Sequence, residues 1–208
     1  MKPPIPKLLL ITDHTVCPDL EACLTSALEG GVKHLLLRMK NNQDRTSLQQ
    51  WTEKLYNLCK SYQAHLLISG DIETALAFEG VGLHLPEVAI PTSQARQLLG
   101  DERVLGRSCH DLDGALAAME GGADYVTLSP LFATRSHPQA TPLGPEKFAR
   151  LRAAIPGPVL ALGGINSDNI PIAMQAGADG VALIRGILSH PSPKNAANFF
   201  LQSIELNI

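Results

Sequence analysis

The chain has 208 residues, enough to bury one large core, and its 45% hydrophobic and 18% charged residues are typical of a globular domain rather than a disordered segment. A net charge of −3 and a pI near 6.1 exclude a general electrostatic attraction to nucleic acid or to an anionic membrane. We therefore expect no nucleic-acid and no membrane partner, and any basic site must be local.

The apolar run over residues 8–11 follows a proline-rich start and is too short for the core of a signal peptide. The cysteines have neither the paired spacing of a metal site nor the density of a disulfide scaffold. They are Cys17, Cys23, Cys59 and Cys109. From these features we expect free thiols and a cytoplasmic protein.

Short apolar segments along the chain predict eight β-strands. They cover residues 8–12, 34–38, 65–69, 81–85, 103–107, 124–128, 158–162 and 180–184. Four of them follow a helix-like segment that ends in a small-residue turn, as at Gly121-Gly122. Glycine caps the end of a helix, and a strand that is apolar on both faces is typical of a covered parallel sheet.

Helix start signals lie between several of these strands. Thr92-Ser93, Asp111, Pro145-Glu146 and Ser167-Asp168 predict helices over 94–99, 112–119, 147–154 and 169–175, and a last helix is expected near 195–204. Eight alternating strand–helix units in a chain of this length favour a small parallel barrel over a doubly wound sheet. We therefore predict an α/β fold, one single-domain (β/α)8 TIM barrel over residues 1–208.

Glycine is concentrated after the last two predicted strands. Residues 160–166 read Leu-Ala-Leu-Gly-Gly-Ile-Asn, and residues 180–186 read Gly-Val-Ala-Leu-Ile-Arg-Gly. Glycine lets backbone N–H groups approach an anion closely, and barrel enzymes bind phosphate after the last strands. We expect a phosphorylated small molecule here, bound by Gly163, Gly164, Ile184 and Arg185. The alternative is that glycine simply ends the strand.

Polar residues at the other strand ends are further candidates, because the carboxyl ends of the strands face the active site in such a barrel. Arg38 and Lys40 are two residues apart and point to one side, so they can bind a second anion; the alternative is a solvated pair at the rim. The remaining candidates are Thr12, Asp13, His14, Ser69, Asp71, Glu87, Ser108, Ser129, Thr134, Ser136, Asn166 and Gly186.

The one long irregular stretch, residues 129–144, contains three prolines, two threonines and two serines. A loop of this length in a compact domain is often an active-site lid. His137 on this loop and His110 after the fifth strand are the candidates for proton transfer, because imidazole titrates near neutral pH. For His110 a structural role, fixed by a hydrogen bond to a neighbouring loop, stays open.

Two further pairs of residues are expected to be structural. His34 and His84 lie within apolar strands and are interpreted as core residues. Asp124 and Asp179 precede strands, at the face opposite the site, and are interpreted as stabilising residues.

Seven motifs, in this order, resemble the thiamine phosphate synthase superfamily from about residue 8 to residue 188. They are Leu10-Ile11-Thr12-Asp13, Arg38-x-Lys40, and the segments 106–110, 122–125, 129–134, 163–165 and 176–181. Members of that superfamily are small (β/α)8 barrels with two activities. The synthase joins a hydroxymethylpyrimidine diphosphate to a thiazole phosphate and expels pyrophosphate with magnesium. The thiazole tautomerase moves a proton to aromatise a carboxythiazole phosphate and needs no metal.

For the synthase activity, the resemblance implies a division of the site into three groups of residues. Arg38 and Lys40 hold pyrophosphate, Ser108, Thr134 and Ser136 bind phosphates, and Gly163, Gly164, Ile184 and Arg185 cradle the thiazole phosphate.

The chain departs from both patterns at key positions. Gly70 and Ala89 stand where the synthase has its two magnesium-binding aspartates, Leu36 replaces a glutamine, and His137 replaces the lysine of the lid. Pro130 stands where the tautomerase has its histidine, and proline cannot transfer a proton.

Loss of the metal pair with retention of the phosphate loops favours, from the sequence, a thiazole tautomerase-like isomerase of thiamine biosynthesis. It is expected to bind a phosphorylated thiazole, to need no cofactor, and to use His137 or His110 for proton transfer. One alternative is a thiamine phosphate synthase, a transferase, that uses Asp71 and Glu87 for Mg²⁺. Another is a non-catalytic sensor of a phosphate ligand. Barrel enzymes often form dimers, so a homo-oligomer also stays open.

Overall fold

The structure, a computed structural model, describes residues 2–39, 45–136 and 138–206. Eight parallel strands form a closed barrel in which each strand pairs with its neighbours along the chain and the last pairs with the first. The strands are β1 (Leu8–Ile11), β2 (His34–Leu37), β3 (His65–Ser69), β4 (Gly82–Leu85), β5 (Leu105–Cys109), β6 (Tyr125–Leu128), β7 (Val159–Leu162) and β8 (Gly180–Leu183). The predicted α/β (β/α)8 barrel is thus confirmed.

Helices follow the strands and surround the barrel. They are α1 (Leu20–Glu29), α2 (Arg45–Ser61), α3 (Ile72–Ala77), α4 (Thr92–Leu99), α5 (Leu112–Glu120), α6 (Gly144–Ala154), α7 (Ile170–Gln175), α8 (Arg185–Leu188) and α9 (Pro193–Glu205). Asp111 caps α5 as predicted, since its carboxylate accepts the N–H of Gly114 at 2.8 Å. Within the part of the chain that is described, no helix is long and apolar enough to cross a bilayer.

Successive side chains of each strand alternate between two cores. Leu9 and Ile11 on β1 join the core inside the barrel, whereas Leu8 and Leu10 face the core between the barrel and the helices. Inward-facing positions therefore recur every second residue. The same alternation carries Arg38, directly after β2, to the mouth of the barrel.

Element boundaries differ most from prediction at β5. The strand begins at Leu105 rather than at residue 103, and it ends at Cys109. Arg103 precedes the strand, and its guanidinium donates to the carbonyl oxygen of Ala75 at 2.6 Å. Because the strand extends to Cys109, Ser108 lies inside it, with its side chain turned into the barrel.

Two similar ion pairs lie at the amino ends of the strands. The carboxylate of Asp124 accepts from the guanidinium of Arg96 and from the N–H of Leu105, both at 2.8 Å. In the same way, Asp179 accepts from Nη2 of Arg152 at 3.1 Å and from the N–H of Val159, at the start of β7, at 2.8 Å. Each aspartate thus ties a strand to its neighbour and to a helix, which agrees with the stabilising role expected from the sequence.

The expectation of four free thiols is wrong for two cysteines. Cys17 and Cys23 form a disulfide with an S–S distance of 2.04 Å. Cys17 lies just before α1 and Cys23 lies on its first turn, so the start of the helix brings the two cysteines together. Their separation of six residues matches neither the paired spacing of a metal site nor a disulfide scaffold. Cys59 and Cys109 are free and buried, and burial raises the pKa of each thiol to about 12.

Candidate active site

A cavity of about 530 Å³ opens at the carboxyl ends of the strands. Apolar inward-facing side chains such as Leu36, Leu162 and Ala182 line it together with polar groups. The structure brings most of the candidate residues to this one cavity. Those that line it are Arg38, Ser69, Glu87, Ser108, His110, Ser129, Thr134, Ser136, Gly163, Gly164, Asn166, Ile184, Arg185 and Gly186.

Other candidates are used elsewhere in the fold. The hydroxyl of Thr12 accepts the N–H of Arg38 at 2.9 Å, and the carboxylate of Asp13 accepts from Thr15. Asp71 caps α3 by accepting the N–H of Thr74 at 2.7 Å. None of these, nor His14, lines the cavity.

Two of the predicted site residues lie outside the described residues. They are Lys40, predicted to bind an anion, and His137, predicted to transfer a proton.

The turn after β7 is built from two glycines with positive φ angles, +103° at Gly163 and +66° at Gly164. A Cβ at Gly164 would meet the carbonyl oxygen of Ala133 at 2.3 Å, and one at Gly163 would meet the Cβ of Pro130 at 2.7 Å. The loop between β6 and α6 therefore lies directly on this turn. Glycine is needed here for close packing, whereas the approach of an anion to this turn stays a prediction from the sequence.

Arg185 connects the end of β8 to the same loop. Its Nη1 donates to the hydroxyl of Ser136 at 2.9 Å, and the N–H of Ser136 donates to the hydroxyl of Thr134 at 3.3 Å. The three candidate phosphate-binding residues Arg185, Ser136 and Thr134 thus lie side by side at one wall of the cavity.

The imidazole of His110 is fixed by the end of the neighbouring strand. Its Nδ1–H donates to the carbonyl oxygen of Ser129 at 2.6 Å, and its Nε2 lies 3.6 Å from the carboxylate of Glu87. This hydrogen bond is the structural role that the sequence left open for His110. The Nε2 atom still faces the cavity, and 42% of the side chain is exposed.

His84 and Arg135 are polar residues of the cavity that are absent from the candidates drawn from the sequence, and His84 is the one with a network of hydrogen bonds. His84 is buried, as expected for a core residue, but its ring also lines the cavity and bonds to the Ser108 hydroxyl at 2.9 Å. Burial and the nearby charge of Arg107 lower the pKa of His84 to about 3, so its imidazole is neutral at physiological pH. Side chains alternate along a strand, and this alternation points His84 of β4 into the barrel. The alternation is the sequence signal that could have placed His84 at the cavity.

Charge in the cavity is predominantly positive. Arg38, Arg135 and Arg185 line it, and Glu87 is the one carboxylate among the described lining residues. Such a cavity suits a ligand that carries several negative charges.

Comparison with known proteins agrees with these features. A sequence profile of the family described as "Thiamine monophosphate synthase" matches residues 8–187. The chain is 41% identical to a "Putative thiamine-phosphate synthase" of Geobacter sulfurreducens, over 93% of this chain and 92% of the relative. It is 36% identical to the "Thiamine-phosphate synthase" of Chlorobium limicola, over 100% of this chain and 98% of the relative.

Solved structures show the same fold. The "Thiamine phosphate pyrophosphorylase" of Pyrococcus furiosus superposes with a TM-score of 0.87 at 28% identity, over 97% of this chain and 96% of that one. A 3-hexulose-6-phosphate synthase of Salmonella typhimurium superposes with a TM-score of 0.70 at 16% identity, which shows the barrel alone.

The expectation of a thiazole tautomerase-like isomerase is wrong, because relatives that are 36–41% identical over nearly the whole chain carry the name of the synthase. Loss of the two aspartates removes one way to neutralise pyrophosphate, but it supplies no group for proton transfer. Pro130 occupies the position of the tautomerase histidine, and proline cannot transfer a proton. On these findings the chain belongs to the thiamine monophosphate synthase family.

Proposed function

We propose that this chain is a thiamine-phosphate synthase that joins a hydroxymethylpyrimidine diphosphate to a thiazole phosphate and releases pyrophosphate. One observation carries the proposal. A single cavity holds a glycine turn and Arg185 at the ends of β7 and β8, and also Arg38 at the end of β2, with β1 between them. Two cationic regions in one cavity suit two phosphorylated substrates, which is what the resemblance to the synthase implies.

The proposed assignment of the substrates follows the two regions. The thiazole phosphate binds at the turn of Gly163 and Gly164 and at the Ser136–Arg185 pair. The diphosphate binds towards Arg38 and Ser108, where side-chain donors replace the water that is lost on binding.

The proposed reaction needs no base at the thiazole. The lone pair of the thiazole nitrogen forms a bond to the methylene carbon of the pyrimidine, and the bond from that carbon to the diphosphate oxygen breaks. Pyrophosphate leaves with the electron pair, so no proton has to be removed from the nitrogen. Arginine side chains that stabilise the growing negative charge on the leaving group are therefore the main requirement.

The donors of the cavity do not fit the magnesium site of the family pattern, which uses two aspartates. Gly70 and Ala89 occupy those positions, and Asp71 is engaged as the cap of α3 instead of lining the cavity. Glu87 alone remains, and the described residues contain no cluster of three or more potential metal ligands. We therefore assign the neutralisation of pyrophosphate to Arg38 and the other cationic side chains of the cavity.

The proposal is tested by incubating the purified protein with the pyrimidine diphosphate and the thiazole phosphate, and measuring thiamine phosphate and pyrophosphate. We expect both products in equal amounts. Arg38→Met and Arg185→Gln should each lower kcat/KM by about tenfold or more, as expected for loss of a charged hydrogen-bond donor. Arg150→Gln is the matched control, since Arg150 is exposed on α6 and does not line the cavity.

Tight binding of both substrates without any product would overturn the proposal. That result would instead favour the alternative in which the protein binds a phosphate ligand without catalysis. The substitution of both aspartates is the observation that favours this alternative. A parallel reaction with a chelator shows directly whether any activity depends on a divalent cation.

A further inference from the structure

Strands β4, β5 and β6 bring three residues into register inside the barrel. His84 pairs with Gly106 across β4 and β5, and Gly106 pairs with Tyr125 across β5 and β6. The Nδ1 of His84 lies 3.0 Å from the hydroxyl of Tyr125, and its Nε2 lies 2.9 Å from the Oγ of Ser108. Tyr125, His84 and Ser108 thus form a hydrogen-bonded chain from the closed core to the cavity.

Gly106 is what allows this chain to form. A Cβ at that position would lie 2.3 Å from Cζ of Tyr125 and 2.6 Å from Nδ1 of His84. The two side chains therefore meet in the space that the glycine leaves on the strand between them. Glycine is therefore required on β5 by the lack of space for a Cβ. The backbone itself does not require it, since the φ angle of Gly106 is not positive.

The burial of Tyr125 determines which atom donates and which accepts in each hydrogen bond of this chain. The exposed fraction of Tyr125 is 0%, and His84 is its one hydrogen-bond partner within the described residues. If the phenol did not donate to Nδ1, its proton would be buried without an acceptor, which is costly. A neutral imidazole carries one N–H, so Nε2 must hold it and donate it to Ser108.

Ser108 then has its proton available for a ligand. Its oxygen accepts from His84, and the other nearby hydroxyl, that of Thr127, lies at the hydrogen-bond limit of 3.5 Å. Because Ser108 lines the cavity, its O–H can point at a bound molecule.

We propose that Tyr125 and His84 are positioning residues that hold Ser108 as a hydrogen-bond donor, so that this part of the cavity selects an unprotonated oxygen of the diphosphate. The identity of the ligand rests on the proposed function. The direction of the hydrogen-bonded chain does not, since it follows from the geometry of the protein alone.

The first test needs no ligand and no turnover. The ¹⁵N chemical shifts of histidine-labelled protein distinguish a protonated ring nitrogen from an unprotonated one, and an H84N variant identifies the signals of His84. We expect Nε2 to be protonated and Nδ1 to be unprotonated. A ring protonated at Nδ1 would overturn the proposal.

The second test measures the affinity for inorganic pyrophosphate by calorimetry in Ser108→Ala, Tyr125→Phe and the double variant. We expect about tenfold weaker binding for Ser108→Ala, as for one lost hydrogen bond to a charged group, and a smaller loss for Tyr125→Phe. In the double variant, binding should be no weaker than in Ser108→Ala. Additive losses would mean that Tyr125 acts only through the general structure, and would contradict the proposal.

Tyr62→Phe is the matched control, because Tyr62 follows α2 and does not line the cavity, and it should leave the affinity unchanged. If Tyr125→Phe does not fold, the ¹⁵N measurement on the unmodified protein still decides the direction of the chain. Failure of the proposed function is recognised separately, as pyrophosphate binding with the expected variant effects but no thiamine phosphate formed.

Discussion

Gly164 lies so close to Ala133 that a Cβ at position 164 would come within 2.3 Å of the Ala133 carbonyl oxygen. The turn after β7 and the loop after β6 are therefore in direct contact, and hydrogen bonds from that loop to the carbonyl oxygens of Leu162 and Gly163 strengthen the contact. The shape of the candidate phosphate site depends on both segments together. A substitution in either one is expected to affect the other.

Gly164→Ala should destabilise the protein more than Gly144→Ala does. Both glycines have similar φ angles, +66° and +71°, but nothing lies within 4 Å of a Cβ at Gly144. Gly144→Ala should therefore cost about 1–2 kcal/mol for the left-handed conformation alone. Gly164→Ala should add about 1–3 kcal/mol for overpacking and should weaken the binding of inorganic phosphate. Urea unfolding and calorimetry measure the two effects, and equal losses in the two variants would contradict this explanation.

Arg185→Gln should make the loop after β6 more accessible to trypsin. The variant breaks the hydrogen bond from Arg185 to Ser136, and one such bond corresponds to about a fivefold change in the population of a locally opened loop. We expect faster cleavage after Arg135, which is exposed, and protection of the unmodified protein by inorganic phosphate. Arg150→Gln serves as control, and unchanged cleavage in Arg185→Gln would show that this bond does not hold the loop.

Stability should fall as the pH is lowered through the range in which His34 is charged only in the unfolded chain. Burial lowers the pKa of His34 to about 4, against the opposing effect of its hydrogen bond to the Pro4 carbonyl oxygen. The ordinary pKa is about 6.5, so between these values the unfolded chain binds more protons and stability rises with pH. The stabilisation is complete above about pH 6.5 and about 2 kcal/mol of it is lost by pH 5.

His34→Gln should flatten this dependence, since glutamine can still donate to the Pro4 carbonyl oxygen but does not titrate. Urea unfolding at pH 7 and pH 5 measures the difference between the two proteins. The other titrating groups are present in both, so a slope as steep in the variant as in the unmodified protein would rule out His34 as its source.

Asp124→Asn should cost more stability than Glu21→Gln. Asp124 and Arg96 are 16% and 14% exposed, and asparagine loses the charged acceptor for both the guanidinium and the Leu105 N–H. We expect a loss of about 1.5–3 kcal/mol. Glu21 and Lys54 are both 47% exposed, and their pair should contribute about 0–1 kcal/mol. Neither variant should change the affinity for pyrophosphate, and a change in Asp124→Asn would mean that the amino ends of the strands influence the cavity.

The barrel could be predicted because its strands are apolar on both faces and are separated by turns with glycine. Boundaries were less predictable, since the apolar pattern alone does not mark where the pairing begins, and β5 begins at Leu105 rather than at residue 103. The disulfide could not be predicted, since it depends on how the chain enters α1.

The site was predictable to the extent that strand ends determine it. Arg38, Ser108 and Arg185 could be placed at the cavity from their positions after or near strand ends. Asp71 follows a strand end as well, but it caps α3 in the way that Asp111 caps α5. His84 is interpreted from the sequence as a core residue because its strand is apolar, although the alternation of side chains along β4 points it into the barrel and towards the cavity. The two substituted metal ligands point to the wrong branch of the family, because two positions carry less information than the similarity of the whole chain.

The ion pairs of Asp124 and Asp179 are formed entirely by residues that do not line the cavity. The two ion pairs lie two strands apart, one before β6 and one before β8. Each joins a strand, the neighbouring strand and a helix at the amino ends of the barrel. These ion pairs thus stabilise the barrel at one end, while the candidate active site lies at the other. This division explains how positions such as Gly70 and Ala89 can lose their family residues while the barrel keeps its shape, so that new specificities can arise at the rim without rebuilding the base.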